Sequence, residues 1–180
     1  MPEVRTHTIS LIIPVLNDEE VLQALLRRVR TFDLAEILIV DTTLPQNTFA
    51  QREDGYAHVT RMFGPLGRGG QIAAGIKAAR SDYIWVLHAD SQPHAQSVHA
   101  IRDILDRPHI SLGCFHLRFD DRHPLLRIFE WGARFDTRLT SFGDQGFFFR
   151  REDLKFGIPK GVMYADKQDM MAGSAFMSLW

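Results

Sequence analysis

His88-Ala89-Asp90 follows the most strongly strand-like stretch of the chain, Tyr83 to Leu87, and sets a carboxylate at its end. A carboxylate there can ligate a hard cation such as Mg²⁺ or Mn²⁺, which in turn grips phosphate oxygens. The same Asp90 equally suits the start of a turn and helix, with His88 packing beside it. Asp41 closes a second apolar run, Glu36 to Asp41. An acid in that place can accept hydrogen bonds from a base or ribose, or it can open a turn. Asn17-Asp18-Glu19-Glu20 loads a helix start with negative charge, which suits the helix dipole but makes a poor phosphate cradle. Ligand contacts there are expected to be to hydroxyls or a base. Gly67-Arg68-Gly69-Gly70 precedes a helix and has the look of a backbone anion site, without the Lys and Ser/Thr of a P-loop. Arg68 adds a guanidinium suited to planar, bidentate contacts. Gly143-Asp144-Gln145-Gly146 is a turn or an acceptor-facing loop.

The elements that must hold these groups alternate between strand and helix. Thr8 to Pro14 reads as a buried strand, and Asn17 with Glu20 has the spacing of a capping box. Val21, Leu22, Leu25, Leu26 and Val29 then repeat at helical spacing. Further strands are expected at Glu36–Asp41, His58–Met62, Tyr83–Leu87, Leu112–Phe119 and Gly146–Arg150. Helices are expected near Gln71–Arg80, Pro93–Asp106 and His123–Leu139, with Pro93 in a first turn. Thr42 to Asp54 reads as a loop, and the pattern fades beyond Phe156. Such alternation implies right-handed βαβ units and a mainly parallel sheet covered on both faces, an α/β, Rossmann-like three-layer α/β/α architecture. Ligands of such sheets sit beyond the carboxyl ends of the strands. Asn17-Asp18, Asp41 and Asp90 all fall at such ends.

With 180 residues, of which 45% are apolar, one domain spanning 1–180 is expected. The 21 Lys and Arg against 22 Asp and Glu give a net charge of −1, which argues against nucleic-acid binding by bulk electrostatics. A local diphosphate site remains compatible, because one divalent cation can neutralise it. Cys114 is the single cysteine, which excludes an internal disulfide and fits a reducing compartment. The apolar run at Ile9–Ile13 is too short for a signal peptide, and Met170–Trp180 is too short to cross a bilayer core of roughly 30 Å. A soluble, cytoplasmic protein with no membrane span is the expectation.

Taken together, these residues resemble family 2 glycosyltransferases of the GT-A fold. Leu11-Ile12-Ile13-Pro14-Val15-Leu16-Asn17-Asp18-Glu19 resembles the opening strand and turn of that family. Ile39-Val40-Asp41 resembles its second nucleotide-binding strand, and Gly67-Arg68-Gly69-Gly70-Gln71 with Ala74-Gly75 its next loop and helix. Leu87-His88-Ala89-Asp90 resembles the strand end that carries the Asp-x-Asp metal motif. Glu130-Trp131-Gly132-Ala133 and Gly143 to Arg151 resemble a bacterial subgroup whose members are sometimes linked by name to arsenosugar biosynthesis, a label and not a substrate. The resemblance covers roughly residues 8 to 155.

It implies a metal-dependent, inverting transfer of sugar from a nucleotide-diphosphate sugar, with a UDP-sugar as the expected donor and an unknown acceptor. Val15 and Asp18 would line the nucleoside pocket, Asp41 would contact the base, and Arg68 the base or phosphates. Asp90 would hold Mg²⁺ or Mn²⁺, and Asp144 and Gln145 would face the acceptor. An acid downstream would deprotonate the acceptor hydroxyl. Asp166 is the candidate, with Asp169 and Asp144 as rivals and no base at all as a further alternative.

The chain departs from the family pattern at three places. Thr42-Thr43-Leu44-Pro45 follows the second-strand acid where Gly and Ser are usual, and His88 replaces the first acid of Asp-x-Asp. In place of the usual Glu-Asp pair there is only Tyr164-Ala165-Asp166, in a C-terminal region that reads as short or atypical. A non-catalytic nucleotide-binding or oligomerising domain derived from such enzymes is therefore the competing expectation. The apolar Met170–Trp180 segment would then be covered by a second subunit. A nucleotidyltransferase ranks last, because Pro14-Val15-Leu16-Asn17 supplies neither the Gly-rich loop nor the Lys.

Overall fold

The structure is a computed structural model that describes residues 7–46, 51–52, 58–115, 146–156, 162–165 and 176–177. Nine strands among them form one sheet: β1 (Ile9–Val15), β2 (Glu36–Asp41), β3 (Gln51–Arg52), β4 (Val59–Phe63), β5 (Tyr83–Val86), β6 (Leu112–Phe115), β7 (Phe147–Arg150), β8 (Val162–Ala165) and β9 (Phe176–Met177). Their spatial order is β3-β4-β2-β1-β5-β7-β6-β8-β9. The central four, β4-β2-β1-β5, are mutually parallel, as the βαβ pattern predicts. Antiparallel β7 then joins β5, and antiparallel β3 joins β4. The α/β architecture expected from the alternation is the one observed.

Among the described residues three α-helices cover the sheet: α1 (Glu19–Val29), α2 (Arg68–Ala78) and α3 (Ser97–Leu105). β1 shows how the sequence divides the layers. All seven of its residues are buried, and alternate side chains leave on opposite faces. Ile9, Leu11, Ile13 and Val15 join Leu22, Leu25 and Leu26 of α1 and Ile101 and Ile104 of α3. Ile12 joins Leu38, Val40, Ile84 and Val86 against Ile72 and Ile76 of α2 on the other side. Each fully buried Ile or Leu of this strand contributes about 1.5–3 kcal/mol relative to exposure. The one buried hydroxyl of β1, Ser10, is satisfied, donating to Glu36 Oε1 at 2.7 Å and accepting from the Ser81 N–H.

Three helix starts differ from the sequence reading. Asn17 adopts a left-handed backbone (φ 59°) and Asp18 takes the N-cap position, so the Asn17–Glu20 capping box is not formed. The chain has to turn sharply off the end of β1, and Asn tolerates that conformation better than most residues. Pro93 lies ahead of α3, which begins at Ser97. By contrast α2 begins at Arg68, three residues earlier than the spacing suggests, because Gly67 (φ 101°) supplies the turn that starts it. The helix expected at 123–139 lies outside the described residues. So does most of the C-terminal tail, of which Phe176–Met177 pairs with β8.

Candidate functional site

The order β4-β2-β1-β5 makes the gap between β1 and β5 a topological switch point, because the chain winds one way from β1 to β4 and then returns to the other side. Local chemistry widens that gap. The β1–β5 pairing ends at Ile12–Val86, with the Leu87 N–H donating to Ile12 O at 3.0 Å. Pro14 comes two residues later and faces β5 by the same alternation, but it has no N–H to give. The strands part there. A cleft of about 580 Å³ opens, lined by Pro14, Val15, Leu16 and Asp18 from the end of β1 and by His88, Ala89 and Asp90 from the end of β5.

The N-terminal turn of α2 closes a further wall with Gly67, Arg68 and Gln71. Four residues expected to bind ligand from sequence, Val15, Asp18, Arg68 and Asp90, thus meet in one cleft. Leu16, Val21 and Leu66 also line it. These are three of the four exposed large hydrophobic side chains among the described residues, Leu66 being 82% exposed. Apolar surface gathered at one polar cleft suits a ligand with a flat apolar part.

Asp41 is placed differently. It is buried, and it does not line the cleft. Its Oδ1 accepts from the Thr43 N–H at 2.8 Å and from Thr43 Oγ1 at 2.7 Å, while Arg61 Nη1 lies 3.0 Å from Oδ2. The same guanidinium reaches the Glu19 carboxylate of α1 at 2.9 Å. Hydrogen bonds from Arg61 and then Gln23 hold the Glu19 carboxyl below the ordinary carboxylate range. Asp41 therefore forms the turn at the end of β2 and anchors Arg61. Asp144, Gln145 and Asp166, with its rival Asp169, lie outside the described residues.

Asp90 and His88 offer one carboxylate and one imidazole. Among the described residues no group of three or more His, Cys, Asp or Glu side chains could hold a metal ion. This donor set fits a divalent cation completed by diphosphate oxygens and water, the usual arrangement for Mg²⁺ with nucleotides, and not a protein-caged ion.

A larger cavity, about 730 Å³, lies at the opposite pole of the sheet and is lined by Asp82, Tyr83, Asp106 and Arg150 among others. Tyr83, Asp106 and Arg150 in it are spent on structure. Tyr83 donates to Asp106 Oδ1 at 2.6 Å, and burial followed by that bond raises its pKa. Arg150 donates to the backbone oxygens of Leu105 and Arg107, capping the C-terminus of α3.

The sequence matches glycosyl transferase family 2 over residues 10–167. The chain belongs to that family. Its fold is also that of solved glycosyltransferases at low identity. A mannosyltransferase from Pyrobaculum calidifontis, in complex with GDP-Man and Mn²⁺, shares 13% identity with a TM-score of 0.59 over 86% of this chain and 48% of its own. Mannosyl-3-phosphoglycerate synthase from Rubrobacter xylanophilus shares 16% identity with a TM-score of 0.55 over 81% of this chain and 54% of its own. TarS residues 1–349 of S. aureus share 12% identity with a TM-score of 0.57 over 83% and 48%. This family 2 chain thus spans about half the length of these structures. No curated protein matches it significantly. Among the described residues no helix is long and apolar enough to cross a membrane.

Sequence reasoning gave no role to two residues of this cleft and its wall. Arg61 reads as an ordinary strand charge until Asp41 and Glu19 are seen on either side of it. Gln71 stands at a buried position of α2, where an amide demands partners, and that is the signal by which it could have been found.

Proposed function

We propose that this chain transfers a sugar from a nucleotide-diphosphate sugar, with UDP-sugar as the donor, to an acceptor hydroxyl with inversion. The observation that carries this reading is the convergence of Val15, Asp18, Arg68 and Asp90 on the single cleft at the β1–β5 switch point. Family membership supports sugar transfer, and the GDP-Man and Mn²⁺ bound to the Pyrobaculum protein support a nucleotide-sugar donor with a divalent cation.

In this reading Val15 and Asp18 border the nucleoside, with Leu16 and Leu66 giving apolar surface for its planar part. Arg68 donates to the base or a phosphate oxygen from the first turn of α2, where backbone N–H groups also favour anions. Asp90, with His88 beside it, holds Mg²⁺ or Mn²⁺. Bound there, the cation supplies charge neutralisation at the leaving diphosphate. Asp41 shapes the neighbouring wall, and any contact of its own with the base requires Thr43 or Arg61 to give way. Asp166 takes the proton from the acceptor hydroxyl, and Asp144 and Gln145 face the acceptor. A single unit over residues 1–180 performs these steps, and the apolar Met170–Trp180 tail offers a contact for a second copy.

The test is turnover of UDP-glucose and GDP-mannose with Mn²⁺ by the full chain, followed as nucleoside diphosphate release. Release abolished in Asp90→Ala supports transfer or its hydrolytic shadow. Nucleotide binding with no release from either donor would favour the competing reading, a domain that binds nucleotide without transferring sugar.

A further inference from the structure

One polar group of the cleft has no part in the reading above. Gln71 is only 4% exposed, yet it lines the cleft wall. Its Nε2 donates to Val15 O and to Val40 O, both at 2.7 Å, tying together the ends of β1 and β2. Two carbonyl oxygens can be met only by the amide nitrogen, so the side-chain orientation is fixed. The flipped amide would press Oε1 against two lone-pair oxygens. Both amide hydrogens are therefore used.

Gln71 Oε1 makes no hydrogen bond among the described residues, and it is not among the atoms sealed from solvent without a partner. What remains is an acceptor at the cleft wall that cannot become a donor. Arg68 lies one turn earlier on the same face of α2, lines the same cleft and carries donors only. An acceptor with donors on one side of it complements a ring N–H that stands next to a carbonyl group. Uracil N3–H and guanine N1–H have that form. Cytosine and adenine carry no ring N–H there and would have to present an exocyclic amine with a second hydrogen in need of another acceptor, and the nearby Asp41 carboxylate is already engaged by Thr43 and Arg61.

We infer that Gln71 reads the base: its Oε1 accepts the ring N–H of a uracil or guanine nucleotide. The inference rests on the nucleotide-binding reading above and specifies which edge of the base enters the cleft. A recessed acceptor left unpaired keeps its desolvation cost, so loss of the ring N–H should weaken binding about tenfold or more.

The test is calorimetric titration of UDP and N3-methyl-UDP, and in parallel GDP and N1-methyl-GDP, into the full chain with Mn²⁺. It is repeated on Gln71→Met. In the wild-type protein, methylation of the accepted base should weaken binding about tenfold or more, and in Gln71→Met that ratio should fall to about threefold or less. An equal ratio in both proteins, or no effect of methylation in the wild type, overturns the inference. A readout that needs no variant guards against a Gln71→Met protein that does not fold. The imino proton of the bound wild-type nucleotide should be visible by NMR and in contact with the Gln71 side-chain amide protons, and a rapidly exchanging imino proton overturns the inference. If neither UDP nor GDP binds with Mn²⁺, the nucleotide reading itself has failed, and this inference falls with it.

Discussion

Arg61 Nη1 lies 3.0 Å from Asp41 Oδ2, so the acid at the end of β2 is neutralised inside the wall and not presented to the cleft. The pair is asymmetric. If Asp41 is changed, Arg61 keeps the Glu19 carboxylate, whereas loss of Arg61 leaves a buried carboxylate with Thr43 alone. Arg61→Met should therefore destabilise the fold by about 2–3 kcal/mol, and more than Asp41→Asn does. Urea unfolding of the two variants checks this. Equal losses would mean that the buried charge is not what the guanidinium holds.

The same guanidinium sets a pH dependence. Hydrogen bonds from Arg61 and Gln23 lower the folded pKa of Glu19 below its ordinary value near 4.5. A depressed folded pKa contributes stability that is present above the unfolded pKa and lost as pH falls through the folded one. Some stability should thus disappear below about pH 4.5, and Glu19→Gln should flatten that part of the profile. The carboxylate is 57% exposed, so solvent screening keeps the contribution small. Thermal melts between pH 3 and 7 on both proteins would show it.

Gly75 lets α2 lie close against the sheet. A Cβ there would come within 2.6 Å of Ile12 Cγ2 and 3.1 Å of Val40 Cγ2. Both methyls belong to packed core side chains, which cannot simply swing aside. Gly75→Ala should cost about 1–3 kcal/mol despite the better helix propensity of Ala. A variant as stable as the wild type would mean that α2 can shift outward freely.

The opposite pole supplies a control. Arg150 caps α3 through the backbone oxygens of Leu105 and Arg107, on the far side of the sheet from the cleft. Arg150→Met should lower stability by about 1–2 kcal/mol and leave nucleotide affinity unchanged. Loss of nucleotide binding in a folded Arg150→Met protein would place the ligand in the other cavity.

The parallel heart of the fold was legible because its signal is strong. β1, β2 and β5 are short, continuous apolar runs, and each ends in a polar residue or turn that also marks the site. Asp18 and Asp90 could be chosen for the same reason, since strand ends in such a sheet converge, while Arg68 came from the glycine-rich helix start and Val15 from the family resemblance alone. Less was readable where tertiary partners decide. Asp41 could be read as a ligand contact or as a turn residue, because nothing in its neighbourhood in sequence shows that Arg61, twenty residues on, packs against it. Asn17 satisfied the spacing of a capping box, but the turn off β1 required a left-handed residue there. β3, β8 and β9 have no periodicity of their own and exist through pairing with β4, β6 and one another. Gln71 was visible as a motif residue, but its value lies in two carbonyl partners from different strands.

The most direct test of the central claim is calorimetric titration of UDP and GDP into the purified chain, with and without Mn²⁺, repeated on Asp90→Ala. A nucleotide cleft with its cation at Asp90 predicts binding of at least one nucleotide that strengthens about tenfold or more with Mn²⁺ and loses that gain in the variant. No binding of either nucleotide in the presence of Mn²⁺, or binding indifferent to both the metal and Asp90, would contradict it.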